Sequence, residues 1–577
     1  MKKHRTHPPL LVLTAAAYVV YVFVCFGFEL LDRGVARAAG SLLAALLLSQ
    51  YAVAVFRMAR SAREEERPPL RETVLEVGLV LLSLGSAFIP RVFLALSLVP
   101  ALHVLLRRMV RTQAWTVGLG YLELRPARLL VSGFAAVILL GTILLTLPSA
   151  TTDHGGASVV DALFTSASAT CVTGLSVLNT APDVMANPGL VTFSGFGQIV
   201  ILLLIQVGGL GIMTLSAALL VLAGRNLALR SRQALGDILE ESAGAAIERA
   251  IGYIFRMTLV CETFGALLLY VAFIRSGLES GEAAYSAVFH AISAFNNAGF
   301  SLFGDNLTRF RSDPLVCLTV SALIVVGGLG YSVVSVVFSS NWFLRGGARR
   351  RHGRLLNAHT RMVGLVTGLL LFGGMILTFY LEYDSSLAGL SMGDKLLAAF
   401  FQSVSARTAG FNTVNIGAFQ RTTLLIFMAW MFIGASPGGT GGGVKTTTVG
   451  VFFLAVRAFI RRRPDVEAWG QRFDVVVVHK AVSIIAISVT VIVSALLGML
   501  ACEPQASFEA LAFEVVSAFG TVGLSVGLTP YLSVGGKLII VALMFIGRLG
   551  PVTMAQAVVR SEPGVQVTYA SARISVG

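Results

Sequence analysis

Four short segments of the chain each end in a glycine that follows small or polar residues. They are Cys171-Val172-Thr173-Gly174, Asn296-Asn297-Ala298-Gly299, Arg407-Thr408-Ala409-Gly410 and Gly520-Thr521-Val522-Gly523. Glycine adopts backbone angles that are closed to residues with a Cβ, so a turn built on it can present several carbonyl oxygens to one side. Rings of such carbonyls can replace the hydration shell of a cation. These segments are therefore candidates for a cation site made of backbone.

The four segments are copies of one pattern. Their glycines are 125, 111 and 113 residues apart, each is followed by Leu or Phe, and each is preceded by a Ser-Ala pair at a similar offset. Small-residue turns recur by chance in long membrane chains, and glycine is common here at 59 of 577 residues. Four matched copies between long apolar stretches nevertheless favour internal repetition.

The composition indicates a membrane protein. Hydrophobic residues make up 55% of the chain, charged residues 13%, and the mean hydropathy is +0.80, whereas soluble domains carry about 25% charged residues. The net charge of +14 comes from basic residues at the ends of apolar spans, which disfavours a nucleic-acid partner and favours the lipid bilayer. The sequence contains no catalytic triad, no HExxH motif and no paired carboxylates in one span, which disfavours an enzyme. The cysteines are scattered and do not have the spacing of a metal site.

The apolar pattern predicts an all-α membrane protein. We expect four repeats of a long span (M1), a short pore helix and a second long span (M2) around a single pseudo-fourfold pore, with an N-terminal helical extension. The predicted spans are 127–147 and 196–223, 251–274 and 315–338, 362–381 and 422–458, and 480–501 and 537–559. The predicted divisions are 1–126 for up to four N-terminal helices (10–31, 38–56, 73–90 and 91–106), then repeats at 127–224, 225–343, 344–458 and 459–577.

Charge predicts the orientation. The connections between repeats carry 16 Lys or Arg residues, and the segments between the two spans of each repeat carry 6 outside the glycine turns. By the positive-inside rule the connections are cytoplasmic, so all four glycine turns face outside in a multi-pass protein of the cytoplasmic membrane.

The second span of the third repeat is interrupted within residues 434–445. The residues concerned are Gly434, Ser436, Gly438, Gly439, Thr440, Gly441, Gly442, Gly443 and Lys445. This segment cannot stay helical and predicts a flexible intramembrane loop. It is not a phosphate-binding loop, because Val444 separates Gly443 from Lys445.

Several ionisable residues lie at membrane depth. Arg548 follows Gly523 by 25 residues, and an intramembrane Arg usually faces a cavity. It either opposes cation passage beside the 434–445 loop or pairs with loop carbonyls. We interpret Glu262, Glu514 and His290 as hydrogen-bonding groups between helices. Asp161 and Asp394 begin pore helices, where they complement the helix dipole and could concentrate cations.

Over about residues 125–560 the chain resembles the Trk/Ktr/HKT superfamily of potassium transporters. The resemblance rests on the four glycine turns and on three further motifs in the second spans. These are Gly208-Gly209-Leu210-Gly211, Gly327-Gly328-Leu329-Gly330 and Gly547-Arg548-Leu549-Gly550-Pro551. It does not extend to residues 1–124.

The resemblance implies a function and partners. K⁺ would be taken up through a filter of the four turns, with the 434–445 loop and Arg548 as a gate below it and with Na⁺ as an activating or coupled ion. No organic cofactor is expected on this chain. The implied partners are a second copy, giving a homodimer, and a cytoplasmic nucleotide-binding regulatory ring of the RCK type. A carrier with inverted repeats is disfavoured, because the four repeats share one orientation.

Selectivity is left open between K⁺ alone and mixed Na⁺/K⁺ passage. In the plant branch of the superfamily, Ser at the first-repeat glycine goes with Na⁺ permeation. Gly174 is present here, which favours K⁺.

Overall fold

The described part of the chain is almost entirely helical. The computed structural model describes residues 9–27, 33–59, 97, 100, 101, 104, 126–180, 192–211, 244–338 and 357–558. Within these ranges the strands are a hairpin of β1 (Glu467–Ala468) and β2 (Gln471–Arg472).

Two of the predicted N-terminal helices are described, α1 (Pro9–Gly27) and α2 (Arg33–Ala59). They pack against each other, and Thr14 Oγ1 of α1 donates to Gln50 Oε1 of α2 at 3.0 Å. The predicted helix at 73–90 and most of that at 91–106 lie outside the described residues.

The remaining helices form four similar sets. The first set is α3 (Pro126–Leu145), α4 (Val159–Thr170) and α5 (Gly195–Leu210). The second set is α6 (Gly244–Arg275), α7 (Ser280–Phe295), α8 (Pro314–Leu329) and α9 (Tyr331–Phe338). The third set is α10 (Ala358–Leu381), α11 (Met392–Ser405), α12 (Arg421–Phe432) and α13 (Thr446–Ile460). The fourth set is α14 (Val475–Cys502), α15 (Phe508–Gly520), α16 (Val534–Leu549) and α17 (Pro551–Val558).

The first helix of each set is long and apolar enough to cross a membrane. Mean hydropathy over these four helices is 2.0 to 2.6, because Leu, Val, Ile and Ala follow one another with few charges. Three of the four short helices begin at side-chain caps. Ser158, Ser391 and Ser507 each accept a hydrogen bond from the amide three residues later, which fixes where α4, α11 and α15 start.

The four sets close into a ring. The second span of each set packs against the short helix of the next set. The pairs are α5 with α7, α8 with α11, α12 with α15, and α16 with α4. Because the fourth set returns to the first, the short helices surround one axis, and the predicted four-repeat helical architecture is confirmed.

The second spans are shorter than predicted. The predicted helices at 196–223, 315–338 and 537–559 end or break at Gly211, Gly330 and Gly550, whose φ angles are 79°, 86° and 85°. This left-handed backbone cannot continue a helix. At Gly550-Pro551 the axis turns by 96° between α16 and α17. Residues 212–223 lie outside the described part of the chain.

Candidate functional site

The four glycine turns share one backbone conformation. Two positions before each glycine stands a residue with a left-handed φ, and the glycine itself is also left-handed. The φ values are 51° and 94° for Val172 and Gly174, 58° and 72° for Asn297 and Gly299, 63° and 76° for Thr408 and Gly410, and 50° and 89° for Thr521 and Gly523. Left-handed backbone is unfavourable for Val and Thr, by about 1 to 2 kcal/mol per residue. The surrounding structure therefore imposes the same shape on four different sequences.

The turns contact one another in a closed ring. Each glycine faces the carbonyl oxygen that precedes the next glycine. In ring order the pairs are Gly174 with Ala298, Gly299 with Ala409, Gly410 with Val522, and Gly523 with Thr173. A Cβ on Gly174 would lie 2.5 Å from the Ala298 oxygen, and one on Gly299 would lie 2.7 Å from the Ala409 oxygen. Real Cβ atoms do not come this close, so the ring has room only for glycine.

The third turn is one residue shorter than the others. In repeats one, two and four, the amide before the glycine donates to a carbonyl five residues back. These bonds join Thr173 to Ser168, Ala298 to Ser293, and Val522 to Ser517, each at 2.8 Å. In repeat three Ala409 N donates to Ser405 O, four residues back, at 3.0 Å. The sequence carries this signal, because the Ser-Ala serine precedes the glycine by five residues there and by six elsewhere.

Serines at the helix ends brace three of the turns. Ser168 Oγ accepts from Gly174 N at 3.1 Å, and Ser293 Oγ donates to Phe300 O at 2.8 Å. Ser405 Oγ donates to Phe411 O. In three of the four repeats, the serine of the Ser-Ala pair therefore holds the backbone of the turn in place.

The first residue of each turn has a different environment. Asn296 is fully buried, and its Nδ2 donates to Glu262 Oε1 of α6 at 3.1 Å and to Gln206 Oε1 of α5 at 3.0 Å. Cys171 is also buried, and Arg407 is only 5% exposed, its Nε atom having no hydrogen-bond partner among the described residues. Glu262 thus bonds between helices, as expected.

Residues 433–445 separate α12 from α13 and are not helical. The loop closes on itself where Gly434 N donates to Val444 O at 2.8 Å. It is also bonded to the second spans of two other repeats. Thr440 N donates to Gly327 O at 3.0 Å, and Gly443 N donates to Gly547 O at 3.2 Å. The loop therefore bridges repeats two and four.

Side chains of the glycine turns also bind this loop. Thr440 Oγ1 donates to Asn297 Oδ1 at 3.3 Å, and Gly442 N donates to Thr521 Oγ1 at 3.0 Å. Asn297 Nδ2 donates in turn to Thr408 Oγ1 at 3.3 Å. These side chains were not predicted to have this role, since the sequence argument concerned the backbone of the turns alone.

Two cationic side chains lie beside the loop. Arg548 donates to Thr440 O and, in the first repeat, to Gly208 O. Lys445 Nζ donates to Gly441 O at 2.6 Å. Both are half-buried and line a cavity of about 220 Å³ together with Phe134 of α3 and other residues of the first two repeats. Of the two roles considered for Arg548, pairing with loop carbonyls is present in the structure.

The other predicted polar groups have partners. Glu514 accepts from Thr529 Oγ1 at 2.8 Å, and His290 Nδ1 lies 2.7 Å from Ser286 O. Asp394 accepts from Ser391 Oγ at 2.8 Å. Asp161 forms an ion pair of 2.6 Å with Lys537 of the fourth repeat. Its carboxylate is therefore already neutralised by a cation of the chain.

Comparison with known proteins identifies the family. Residues 127–564 match the TrkH family, described as a cation transport protein. The chain is 39% identical over 439 residues to Ktr system potassium uptake protein B of Vibrio alginolyticus, covering 76% of this chain and 92% of that protein. It is 35% identical over 437 residues to potassium/sodium uptake protein NtpJ of Enterococcus hirae, covering 75% and 92%.

A solved structure has the same fold. The potassium transporter TrkH from Vibrio parahaemolyticus superposes with a TM-score of 0.58 at 18% identity, over 90% of this chain and 97% of that one. The family match covers the ring of glycine turns, the loop and Arg548 alike. The chain belongs to the TrkH family of cation transport proteins and is a multi-pass membrane transporter, not an enzyme.

Proposed function

We propose that the chain takes up K⁺ through the ring of glycine turns. The observation that carries this proposal is the closed contact of each filter glycine with the carbonyl that precedes the next one. Backbone carbonyls in a ring can replace the water around K⁺. The names of the relatives, potassium uptake and potassium/sodium uptake proteins, agree with this substrate.

The filter consists of the four turns 171–174, 296–299, 407–410 and 520–523. Each follows the carboxyl end of a short helix within a few residues. A helix carries about half a negative charge at that end. Four such ends therefore favour a cation without a ring of carboxylates, and no organic cofactor is needed on this chain.

The gate consists of the 434–445 loop and Arg548. The loop crosses from repeat two to repeat four directly below the turns, and Arg548 fastens it to repeat one. Lys445 is a second basic side chain in the same cavity. We infer that an ion leaving the filter must displace the loop and pass these two basic side chains, so that this conformation corresponds to a closed gate.

We further propose that Na⁺ activates K⁺ uptake, is coupled to it or is transported with K⁺. One relative is named as a potassium/sodium uptake protein, while Gly174 at the first turn favours K⁺. Partial Na⁺ passage is therefore an outcome that a selectivity measurement must include.

The assembly proposed is a homodimer on a cytoplasmic regulatory ring of the RCK type, in the cytoplasmic membrane. The basic connections between repeats, which the positive-inside rule assigns to the cytoplasm, would face the ring. The divisions at 126, 224, 343 and 458 remain the boundaries that we propose for the extension and the four repeats.

The test is K⁺ uptake by the chain expressed in a bacterium deficient in K⁺ uptake, with and without a regulatory ring subunit. Growth at low external K⁺ and isotope flux of Rb⁺ and Na⁺ are measured for the wild type and for Gly174→Ser. We expect rescue by the wild type and weakened or Na⁺-permeable transport by Gly174→Ser. Absence of Rb⁺ flux with every partner supplied would contradict the filter.

A further inference from the structure

A groove lies away from the pore, between α10, α13 and the β1–β2 hairpin. Its volume is about 540 Å³, within the range of small-molecule sites. Gly450 of α13 packs against Met362 of α10 within the groove, where a Cβ on Gly450 would overlap the Met362 Sδ. The groove opens where α13 ends, at Ile460.

The walls of the groove are apolar along the membrane-spanning helices. Leu365 and Leu369 of α10 and Phe453 of α13 line it, and they are 53%, 64% and 62% exposed. These residues lie two to three turns, or about 10 to 16 Å, from the ends of their helices, a distance at which a spanning helix faces the hydrocarbon region. A soluble anion would have no contact with this part of the groove.

The open end of the groove is cationic. Arg457, Arg461 and Arg463 line it, and all three are exposed. The left-handed residue Arg462, with a φ of 53°, reverses the chain, so that Arg463 N donates back to Ala458 O at 2.9 Å. Arg463 is thereby brought over the groove, whereas Arg462 does not line it. None of these three lining arginines has an ion pair among the described residues.

The acidic residues of the groove do not balance these charges. Asp465 lines the groove, but it forms an ion pair of 2.9 Å with Arg472 of the hairpin. Glu467 is the remaining carboxylate against three arginines. Trp469 at the tip of the hairpin also lines the groove and is 40% exposed, as is typical of Trp at the boundary between membrane and water.

We propose that this groove is a binding site for an anionic phospholipid. The phosphate would be held by Arg457, Arg461 and Arg463 under the hairpin, and the acyl chains would lie along Leu365, Leu369 and Phe453. The positive-inside rule assigns this end to the cytoplasmic leaflet, where anionic lipids attract basic groups. The site is separate from the pore, so its test does not depend on transport.

The test is native mass spectrometry of the purified full chain in detergent. The protein is incubated with equal amounts of phosphatidylglycerol and phosphatidylcholine that have the same acyl chains. We expect preferential retention of phosphatidylglycerol, weakened about fivefold by each of Arg457→Gln, Arg461→Gln and Arg463→Gln. Arg462→Gln is the matched control, since it removes the same charge from the same segment outside the groove, and retention should be unchanged.

Other results would overturn the proposal. Equal loss with Arg462→Gln would indicate only general attraction to a basic surface. Displacement of the lipid by millimolar inorganic phosphate would identify a site for a soluble anion. If neither lipid is retained and a purified ring subunit instead protects the groove from chemical labelling, the groove is a protein interface. The melting temperature of each variant shows whether it is folded.

Discussion

The guanidinium of Arg548 donates to the main-chain carbonyl of Thr440, although the two residues are 108 positions apart in the chain. Its second terminal nitrogen reaches Gly208 in the first repeat. One side chain of repeat four therefore joins the loop of repeat three to the second span of repeat one. Arg548 therefore brings a positive charge to the loop and also ties the loop to repeats one and four. Substitutions can separate these two roles.

Replacement of Arg548 by Lys and by Gln separates the charge from the hydrogen bonds. Lys keeps the positive charge but lacks the planar fork that reaches the loop carbonyl of Thr440 and the helix carbonyl of Gly208 at the same time. If charge limits passage, Arg548→Lys keeps the basal flux of Rb⁺ and Arg548→Gln raises it severalfold. If the hydrogen bonds that hold the loop limit passage, both variants raise the basal flux of Rb⁺. Unchanged flux in both would remove Arg548 from the gate.

Loss of the Thr521 hydroxyl is expected to loosen the loop. Thr521→Val has the same shape but leaves the Gly442 amide without its acceptor, at a cost of about 1 to 3 kcal/mol. We predict higher basal Rb⁺ flux in liposomes without a regulatory partner. Thr490→Val is the control, because Thr490 bonds only within its own exposed helix face. Equal flux in the two variants would show that the loop does not depend on this bond.

Addition of one methyl group to the filter ring is expected to abolish transport. Gly299→Ala places a Cβ 2.7 Å from Ala409 O and 2.9 Å from Gly410 Cα, on a left-handed backbone. Gly368→Ala is the matched control, since a Cβ there meets no atom within 4 Å. We predict a loss of Rb⁺ uptake of at least about tenfold for the first, equivalent to about 1.4 kcal/mol, and none for the second. Normal uptake by Gly299→Ala would refute the close ring.

The pair Lys537–Asp161 is expected to stabilise the closure between repeats four and one. Its side chains are only 14% and 19% exposed, against 84% and 45% for the Arg421–Glu509 pair between repeats three and four. A double-mutant cycle with Asp161→Asn and Lys537→Met should give a coupling of about 1 to 2 kcal/mol, and the exposed pair less than about 1 kcal/mol. Thermal unfolding in detergent measures both. Similar coupling energies for the two pairs would mean that burial does not strengthen the Lys537–Asp161 pair.

The sequence predicted the four repeats and their first spans, because long apolar runs and the spaced glycine turns are local signals. The interruption of the helix at 434–445 was also predicted, from its glycines. The breaks at Gly330 and Gly550 were not predicted. Apolar residues continue on both sides of Gly330, whereas Pro551 after Gly550 is a break signal that the predicted span 537–559 did not take into account. A single glycine ends a helix there only because packing in the ring selects its left-handed conformation.

Contacts between repeats could not be predicted from the sequence. The bonds from Asn297 and Thr521 to the loop join segments more than 70 residues apart, and no periodicity encodes such distances. The groove beside Trp469 was likewise not predicted, because it depends on how a hairpin folds back over two helices.

The ring of turns also has a consequence for how this chain can evolve. In a channel of four identical subunits, one codon change alters all four turns at once. Here each turn is encoded separately, yet each glycine lies against the backbone of the next repeat. A change in one turn therefore acts first on the two turns beside it, since a Cβ on Gly410 would meet both Val522 O and Gly299 Cα. The four sides of the filter can therefore change one at a time. The third turn, which is one residue shorter than the others, already makes the ring asymmetric.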